Sequence, residues 1–304
     1  MDDPTITLEL AGSGAGFAQP IADQRLWSDV PVAAACRPAA PLPVAPIRPA
    51  GRWRLVFRGP GAVEGSPQEV AAWRNGRGDC RVDYADGVRF WGAAGGGRVV
   101  RLPERASRRS GDRLVERAVG APLALALAAR GVHLLHASAL AERAGGVVAI
   151  TGGSGAGKST LAAAAADHPE LGLIRVADDI LPVRLGPAPV ALPHFPQLKL
   201  AAAAQYPERG PTPLRLAALV EIEHSGSCAE VAVSRRTPAA ALLALVRATV
   251  AARLFDAGGS GAHFEACAEA SRTLPVLGLR FPSGRDGLRS ALSALGELAA
   301  GAAS

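Results

Sequence analysis

The residues with the most specific chemistry form a glycine-rich segment in the middle of the chain. Residues 152–159, GGSGAGKS, match the pattern G-x-x-x-x-G-K-[ST] in full. The apolar stretch VVAIT precedes them, and the Ala-rich stretch STLAAAAAD begins at their last residue. Because glycines let a loop wrap a phosphate with several backbone N–H groups pointing inward, we expect a phosphate-binding loop between a strand and a helix. The alternative is a fortuitous glycine-rich turn.

The positions of this loop predict how a nucleotide would be held. Lys158 is expected to reach the β- and γ-phosphates, and the hydroxyl of Ser159 is expected to bind Mg²⁺. The helix that begins near Lys158 adds the positive end of its dipole. The segment therefore predicts a nucleotide and Mg²⁺ as ligands, with ATP as the expected nucleotide and GTP as the alternative. The predicted nucleotide-binding set is Gly152, Gly153, Ser154, Gly155, Ala156, Gly157, Lys158, Ser159 and Thr160.

Lysine is scarce in this sequence, which makes each lysine a candidate for function. The 33 basic residues comprise 31 Arg and two Lys, Lys158 and Lys199. A surface cation can be replaced by Arg at little cost, whereas a site that needs a compact ammonium cannot accept the planar guanidinium. Lys199, in FPQLKL, could supply a second cation to the γ-phosphoryl group. Alternatively, it is a surface lysine whose stem covers Leu198 and Leu200.

Two adjacent carboxylates, Asp178 and Asp179, close a second apolar stretch, LIRVADD, twenty and twenty-one residues after Lys158. In an α/β sheet they would emerge at the same carboxyl edge as the loop. One carboxylate would hold the metal while the other accepts the proton of an attacking hydroxyl. The alternative is a polar strand end that caps a helix or a turn.

His136 is a third candidate for the same edge. It is expected to open a strand, within the run HLLHASALA, that lies close to the strand preceding the loop. An imidazole in that position could touch the γ-phosphate or orient an aspartate. The alternative is a structural histidine.

The elements that must position these residues fall into two predicted domains. Residues 1–112 are expected to form a β-rich N-terminal unit, with an irregular lead-in that contains one early strand at Ile6–Leu10. Alternating apolar residues over 52–102 surround Asp86-Gly87, which is a strong hairpin signal.

Residues 113–304 are expected to form an α/β domain, since strand-like and helical patterns alternate after residue 131. A helix is predicted over 114–131, where Gly131 terminates it. The runs LRLAALVEIE and CAEVAVS predict a hairpin around HSGS. Thr237 and Pro238 predict a helix start, and a final strand, PVLGLR, precedes a helix from Asp286.

Composition and charge exclude several classes of protein. With 304 residues, 49% of them hydrophobic, the chain cannot be disordered throughout. No apolar run approaches the roughly 20 residues of a membrane span, and the acidic start MDDPTITLEL predicts a cytoplasmic protein without a secretory signal. Since 33 basic and 27 acidic residues form no long run of one sign, no nucleic-acid partner is expected. Reduced, structural thiols are predicted for the widely spaced Cys36, Cys80, Cys228 and Cys267.

The order of these elements resembles the catalytic domain of HPr kinase/phosphorylase. HASALAERAGGVVAITGGSGAGKSTLA followed by RVADDILPV repeats its His-led strand, P-loop and Ala-Asp-Asp strand. The chain is more similar still to the shorter HPr-kinase-related proteins of peptide-modification clusters, including lasso-peptide tailoring kinases, through AARGVHLLHASAL and FPQLKL. The resemblance covers about residues 114–280 and implies an α/β P-loop domain of the phosphoenolpyruvate-carboxykinase-like type.

The resemblance also implies roles for individual residues. Asp178 would be the general base on a substrate serine, Asp179 would assist the metal, and His136 would stand beside the phosphates. A homo-oligomer is a further implication, because HPr kinases are oligomeric. Thr160 replaces the acidic residue that usually follows the P-loop serine, and no E-[IV]-R-G-x-G segment is present. The resemblance therefore implies neither phosphorolysis nor HPr itself as the substrate.

Three functions remain open from the sequence. The leading hypothesis is an ATP-dependent kinase that phosphorylates a serine of a peptide or small protein, helped by the N-terminal unit in recognising it. The second is a small-molecule kinase, and the third is a non-catalytic ATP-binding or ATPase regulator. For the first hypothesis the predicted catalytic residues are Asp178, Lys158, His136 and Lys199.

Overall fold

The computed structural model describes most of the chain, in two compact units. The described residues are 5–10, 16–22, 24–28, 32, 37–40, 51–60, 69–102, 114–142, 146–192, 195–196, 213–223 and 228–301. The first unit comprises residues 1–133 and 250–262, and the second comprises residues 134–249 and 263–304. The predicted boundary between residues 112 and 113 lies outside the described residues.

The first unit contains a mixed sheet whose strand order is β4-β2-β3-β1-β9-β8-β7-β6-β5. Strand β1 pairs in parallel with β3 and β9, and the other pairings that involve β5 to β9 are antiparallel. The predicted hairpin at Asp86-Gly87 is confirmed, because it joins β7 to β8. The strands are β1 Thr5–Glu9, β2 Phe17–Ile21, β3 Gln24–Ser28, β4 Arg37–Pro38, β5 Trp53–Pro60, β6 Glu69–Asn75, β7 Cys80–Tyr84, β8 Arg89–Gly92 and β9 Arg98–Arg101.

Two helices follow this sheet where the sequence predicts one. Helix α1 spans Leu114–Val119 and helix α2 spans Ala121–Ala128, with Gly120 between them. Pro122 explains the interruption: it has no N–H to donate to the preceding turn, so an uninterrupted helix would lose a hydrogen bond there. The predicted terminator, Gly131, is confirmed by its left-handed φ of 73°.

The second unit contains another mixed sheet, ordered β10-β14-β15-β16-β12-β11-β13, with β18 paired to β16 and β17 paired to β18. Its strands are β10 His133–His136, β11 Ser138–Glu142, β12 Val147–Thr151, β13 Leu173–Ala177, β14 Ile180–Arg184, β15 Val190–Ala191, β16 Leu214–Ile222, β17 Ala232–Arg235 and β18 Val276–Arg280. Its helices are α3 Lys158–Ala164, α4 Pro238–Ala248, α5 Ala257–Thr273 and α6 Arg285–Ala300. The first six residues of α5, 257–262, and the first residue of β10, His133, belong to the first unit.

Helices cover both faces of this sheet. Alternate residues of β12 point to opposite faces, as the period of two in a strand requires. Val147 and Ala149 pack in the core that includes α4 and α5, whereas Val148 and Ile150 pack in the core that includes α3 and α6. The predicted α/β class is thus confirmed as a mixed α/β architecture.

The structure corrects two predicted connections in the second unit. The run HLLHASALA forms two strands rather than one, so His136 ends β10 and Ser138 opens β11. The predicted hairpin between β16 and β17 is wrong, because β18 lies between them. The burial of the strands explains this order: the first four residues of β18 are buried, whereas β17 is largely exposed and suits the edge.

The described part of the chain bears on the membrane and cysteine predictions. None of its helices combines the length and the apolar composition that crossing a bilayer requires. Cys80, Cys228 and Cys267 are free thiols. Cys36 lies outside the described residues.

Candidate functional site

The glycine-rich segment forms a tight loop between β12 and α3. Strand β12 ends at Thr151 and helix α3 begins at Lys158, in agreement with the predicted strand–loop–helix order. Gly155 and Gly157 have φ angles of 78° and 92°, in the left-handed region that side chains with a Cβ rarely adopt. The loop therefore requires glycine at these two positions.

Lys158 is the buried cation of this loop. Its side chain is only 8% exposed, and its Nζ donates hydrogen bonds to the carbonyl oxygens of Gly152, at 2.8 Å, and Gly153, at 3.0 Å. A buried ammonium needs such partners, because desolvating an uncompensated charge is costly. The loop thus wraps around the ammonium, which would have to exchange carbonyl oxygens for phosphate oxygens to bind a nucleotide.

The sheet brings the Asp178-Asp179 pair to the same edge as this loop. Strand β11 is antiparallel to both β12 and β13, so β12 and β13 run in the same direction on either side of it. In register, Ser138 is paired with Ile150 and Ala139 is paired with Ala177. The carboxyl ends of β12 and β13 therefore meet at one edge, as predicted, about 10 Å apart across two strand spacings.

Hydrogen bonds from the start of β11 fix the backbone of the aspartate pair. The hydroxyl of Ser138, which is fully buried, donates to the carbonyl oxygen of Asp178 at 2.6 Å. The backbone N–H of Ala137 donates to the carbonyl oxygen of Asp179 at 3.1 Å. Because Ser138 and Ala137 are adjacent, one short segment holds both carbonyl groups.

His136 is tied to the strand that leads into the loop. The hydroxyl of Thr151, the last residue of β12, donates to the carbonyl oxygen of His136 at 3.4 Å. The side chain of His136 is half-buried. The structure thus brings the backbone of His136 to the end of β12, although His136 ends a strand instead of opening one.

Asp178 and Asp179 occupy different surroundings. Asp178 is 8% exposed, and its Oδ1 lies 3.6 Å from Nη1 of Arg175. Asp179 is more accessible to solvent. The more enclosed carboxylate therefore has a cationic neighbour, which offsets part of the cost of burying its charge.

The remaining predicted site residues divide into three groups. Ser154, Ser159 and Thr160 are exposed at the loop and at the start of α3. Ala156 is half-buried and packs against the core that includes α3. Lys199 lies outside the described residues, so its predicted role as a second cation stays a prediction. Among the described residues, no group of three or more His, Cys, Asp or Glu side chains is arranged to hold a metal ion.

Sequence analysis missed an ion-pair cluster on the other side of the loop. Arg236 donates from Nε to Oε2 of Glu221 at 3.1 Å and from Nη2 to Oε1 of Glu223. Nε of Arg280 lies 3.5 Å from Oε2 of Glu223. Hydrogen bonding to Glu223 raises the pKa of Arg236, so the guanidinium remains charged. The two glutamates lie at the carboxyl end of β16, and Arg280 lies at the carboxyl end of β18. Arg236 follows β17 and reaches the glutamates with its side chain.

The backbone places this cluster beside the loop. β16 is parallel to β12, with Glu221 in register with Thr151. A Cβ on Gly152 would lie 3.2 Å from the carbonyl oxygen of Ile222, the residue between the two glutamates. The Glu-Ile-Glu pattern at the end of an apolar strand is the signal that could have revealed the cluster. The predicted hairpin of β16 with β17 left the cluster unrecognised, because the strand beside β16 is in fact β18.

Comparisons with known proteins identified no relative of this chain among protein families or curated proteins: no protein-family model matches the chain, and no curated protein matches it.

Proposed function

We propose that this chain is an ATP-dependent kinase that transfers the γ-phosphoryl group to a serine hydroxyl of a peptide or small protein. In this proposal the second unit is a P-loop domain of the phosphoenolpyruvate-carboxykinase-like type, related to HPr kinase and to the peptide-tailoring kinases. The observation that supports this proposal most is that the two groups share one edge of the sheet. The loop with buried Lys158 follows β12, the Asp178-Asp179 pair follows β13, and these two strands run in the same direction.

Nucleotide binding would use the loop itself. Backbone N–H groups of residues 152–159 would surround the phosphates, and the Lys158 ammonium would neutralise charge on the β- and γ-phosphates. A serine hydroxyl and a carboxylate are oxygen ligands of the kind that Mg²⁺ prefers. In phosphoryl-transfer sites, Mg²⁺ is usually bound by only one or two protein ligands together with the substrate phosphates. Ser159 and Asp179 fit that pattern. Mg²⁺ bound there would neutralise charge that develops on the phosphates.

Asp178 would act on the acceptor. Its carboxylate would orient the serine hydroxyl and accept its proton while the serine oxygen forms a bond to the γ-phosphorus. The bond between the γ-phosphorus and the bridging oxygen breaks, and ADP leaves with the bonding electron pair. The backbone clamp from Ser138 and Ala137 would hold Asp178 and Asp179 in fixed positions, and His136 would stand beside the phosphates.

The test is a phosphorylation assay on an oriented library of serine peptides, with radiolabelled ATP and Mg²⁺, followed by mass spectrometry of the labelled peptides. We expect a mass gain of one phosphate on serine. Asp178→Asn should lower kcat about 10²–10⁴-fold while ATP binding, measured by calorimetry, stays close to wild type. Glu297→Gln, which changes an exposed carboxylate near the end of α6, is the control and should leave the kinetics unchanged.

The outcomes separate the competing functions. ATP binding without any labelled peptide, but with phosphate transfer to small alcohols or nucleosides, would favour a small-molecule kinase. ATP binding with neither transfer would favour an ATP-dependent regulator. No ATP binding by the wild-type chain would refute the assignment of the loop.

A further inference from the structure

Strand β13 is an edge of the second sheet, and it leads directly into Asp178. Among the described strands it pairs with β11 alone, and it stands last in the sheet order. Its middle residues, Ile174 and Arg175, are half-buried, in contrast to the fully buried strand β12. An edge strand presents backbone N–H and C=O groups that can pair with another extended chain.

The hydrogen-bond pattern shows which residues of β13 face outward. The N–H of Glu142 in β11 donates to Gly146, on the β12 side. Because backbone groups in an antiparallel ladder alternate in direction, the backbone groups of Ala141 point to β13, whereas those of Leu140 point to β12. Ala141 pairs with Ile174, and Leu140 pairs with Arg175.

The outward residues follow from that pairing. Since Ile174 directs its N–H and C=O inward to β11, its neighbours Leu173 and Arg175 direct theirs to the open side of the sheet. A bulge at Val176 separates these positions from Ala177, which pairs with Ala139. Bulges re-aim a strand and are frequent beside active sites. Here the bulge immediately precedes Asp178.

We propose that the acceptor of this kinase binds as an extended peptide that adds a strand to the open edge of β13. The proposal rests on the proposed function, since it concerns the substrate of the same site. Backbone groups of Leu173 and Arg175 would pair with the peptide, and the peptide would continue past Ala177 so that its serine lies beside Asp178. Strand addition of this type draws affinity from main-chain hydrogen bonds and specificity from alternate side chains.

The chemistry of the edge favours a peptide over a compact ligand. The outward backbone groups of Leu173 and Arg175, which pair with none of the described strands, are spaced two residues apart. This spacing matches another strand, whose groups repeat with the same period. The side chain of Arg175 lies beside Asp178, at 3.6 Å from its carboxylate, so a peptide on this edge would pass the proposed base within one or two residues. A rival explanation is that the bulge and Arg175 only prevent the edge from pairing with a second copy of the chain.

The decisive experiment is an N-methyl scan of the peptide itself. The probe is the serine peptide with the highest label in the library assay, resynthesised with one backbone N-methyl group at each position in turn. Methylation removes a donor and blocks strand pairing on that side only. We expect kcat/KM to fall about tenfold at alternate positions and to stay within about twofold at the positions between them. A profile without this period of two would overturn the proposal.

Variants of the edge provide a second test on the enzyme. Arg175→Pro and Arg175→Ala both remove the side chain, but only proline removes the outward N–H. We expect KM for the peptide to be about tenfold higher for Arg175→Pro than for Arg175→Ala, with equal binding of ATP. Circular dichroism tests whether both variants fold. If the proline variant does not fold, the N-methyl scan decides alone.

The controls distinguish this proposal from the one on which it rests. If no library peptide is labelled, the proposed function fails and the peptide-binding edge falls with it. If a peptide is labelled but neither the scan nor the variant pair shows the expected difference, only the edge proposal fails. If sedimentation velocity shows a dimer that Arg175→Pro dissociates, the edge is an interface between copies and the proposal is wrong.

Discussion

Replacing Ser138 by alanine removes one hydroxyl from the support of the candidate site. This hydroxyl is fully buried and donates to the carbonyl oxygen of Asp178 at 2.6 Å. A buried hydrogen bond contributes about 0.5–1.5 kcal/mol net, and depriving a buried acceptor of its donor costs about 1–3 kcal/mol. We therefore expect Ser138→Ala to lower the free energy of unfolding of the second unit by about 2 kcal/mol, or about 30-fold in its folding equilibrium.

The assay must observe the second unit. All four tryptophans, at positions 27, 53, 73 and 91, belong to the first unit. Urea unfolding should therefore be followed by far-ultraviolet circular dichroism, because tryptophan fluorescence would report on the first unit. The matched control is Ser271→Ala, whose hydroxyl donates to the carbonyl oxygen of Ala268 within helix α5. Its effect should stay within about 0.5 kcal/mol.

Activity gives the second readout of Ser138→Ala. If the hydrogen bond holds the Asp178 backbone where the proposed base must act, kcat should fall while the affinity for ATP stays near wild type. A stability change below about 0.5 kcal/mol would refute the energetic argument. A loss of stability with unchanged kcat would show that Ser138 supports the sheet and has no part in positioning the aspartate.

Three further predictions concern other parts of the second unit. Lys158→Ala should abolish nucleotide-dependent activity in steady-state assays, and Lys158→Arg should restore little, since the guanidinium is larger than the ammonium that the loop encloses; near wild-type turnover of Lys158→Arg would contradict this. Burial lowers the pKa of His263, so the folded state binds fewer protons than the unfolded chain below about pH 6.5. The free energy of unfolding should therefore decrease as the pH is lowered below that value. When urea unfolding is measured over this pH range, the free energy of unfolding of His263→Gln should decrease less than that of the wild type. Gly278→Ala would place a Cβ 2.8 Å from Cζ of Arg236, a side chain that can move, and should cost about 1 kcal/mol in the same assay. Gly287→Ala, whose Cβ would lie 1.9 Å from a backbone oxygen, should cost several times more.

The loop and its strand–helix context could be predicted because local sequence determines them. Glycine positions, the lysine and the flanking apolar run lie within about twenty residues, and the alternative conformations of such a segment are few. The position of the aspartate pair could also be predicted, since the carboxyl ends of strands that run in the same direction share an edge. The intermediate strand β11 does not alter this, because two antiparallel pairings restore the direction.

Long-range pairing could not be predicted in the same way. The run HLLHASALA has no residue that marks a strand end at Ala137, yet β10 and β11 occupy distant places in the sheet. The strand that follows β16 along the chain is β17, but β16 pairs with β18, which begins more than forty residues after the end of β17. The Arg236 cluster depends on this choice, and the open side of β13 depends on the pairing of β13 with β11. These features depend on the order of the strands, which local patterns do not encode.

The returning stretch 250–262 has a consequence for the synthesis of this protein. It belongs to the first unit, where Leu254 is 1% exposed and the ring of Phe255 lies 6.2 Å from that of His133. The ribosome makes the intervening and returning residues, 134–262, only after the rest of this unit has been made. At about 5–20 residues per second, these 129 residues take roughly 6–26 s. During that interval the first unit lacks its last segment, so it cannot be completed before most of the second unit has been synthesised.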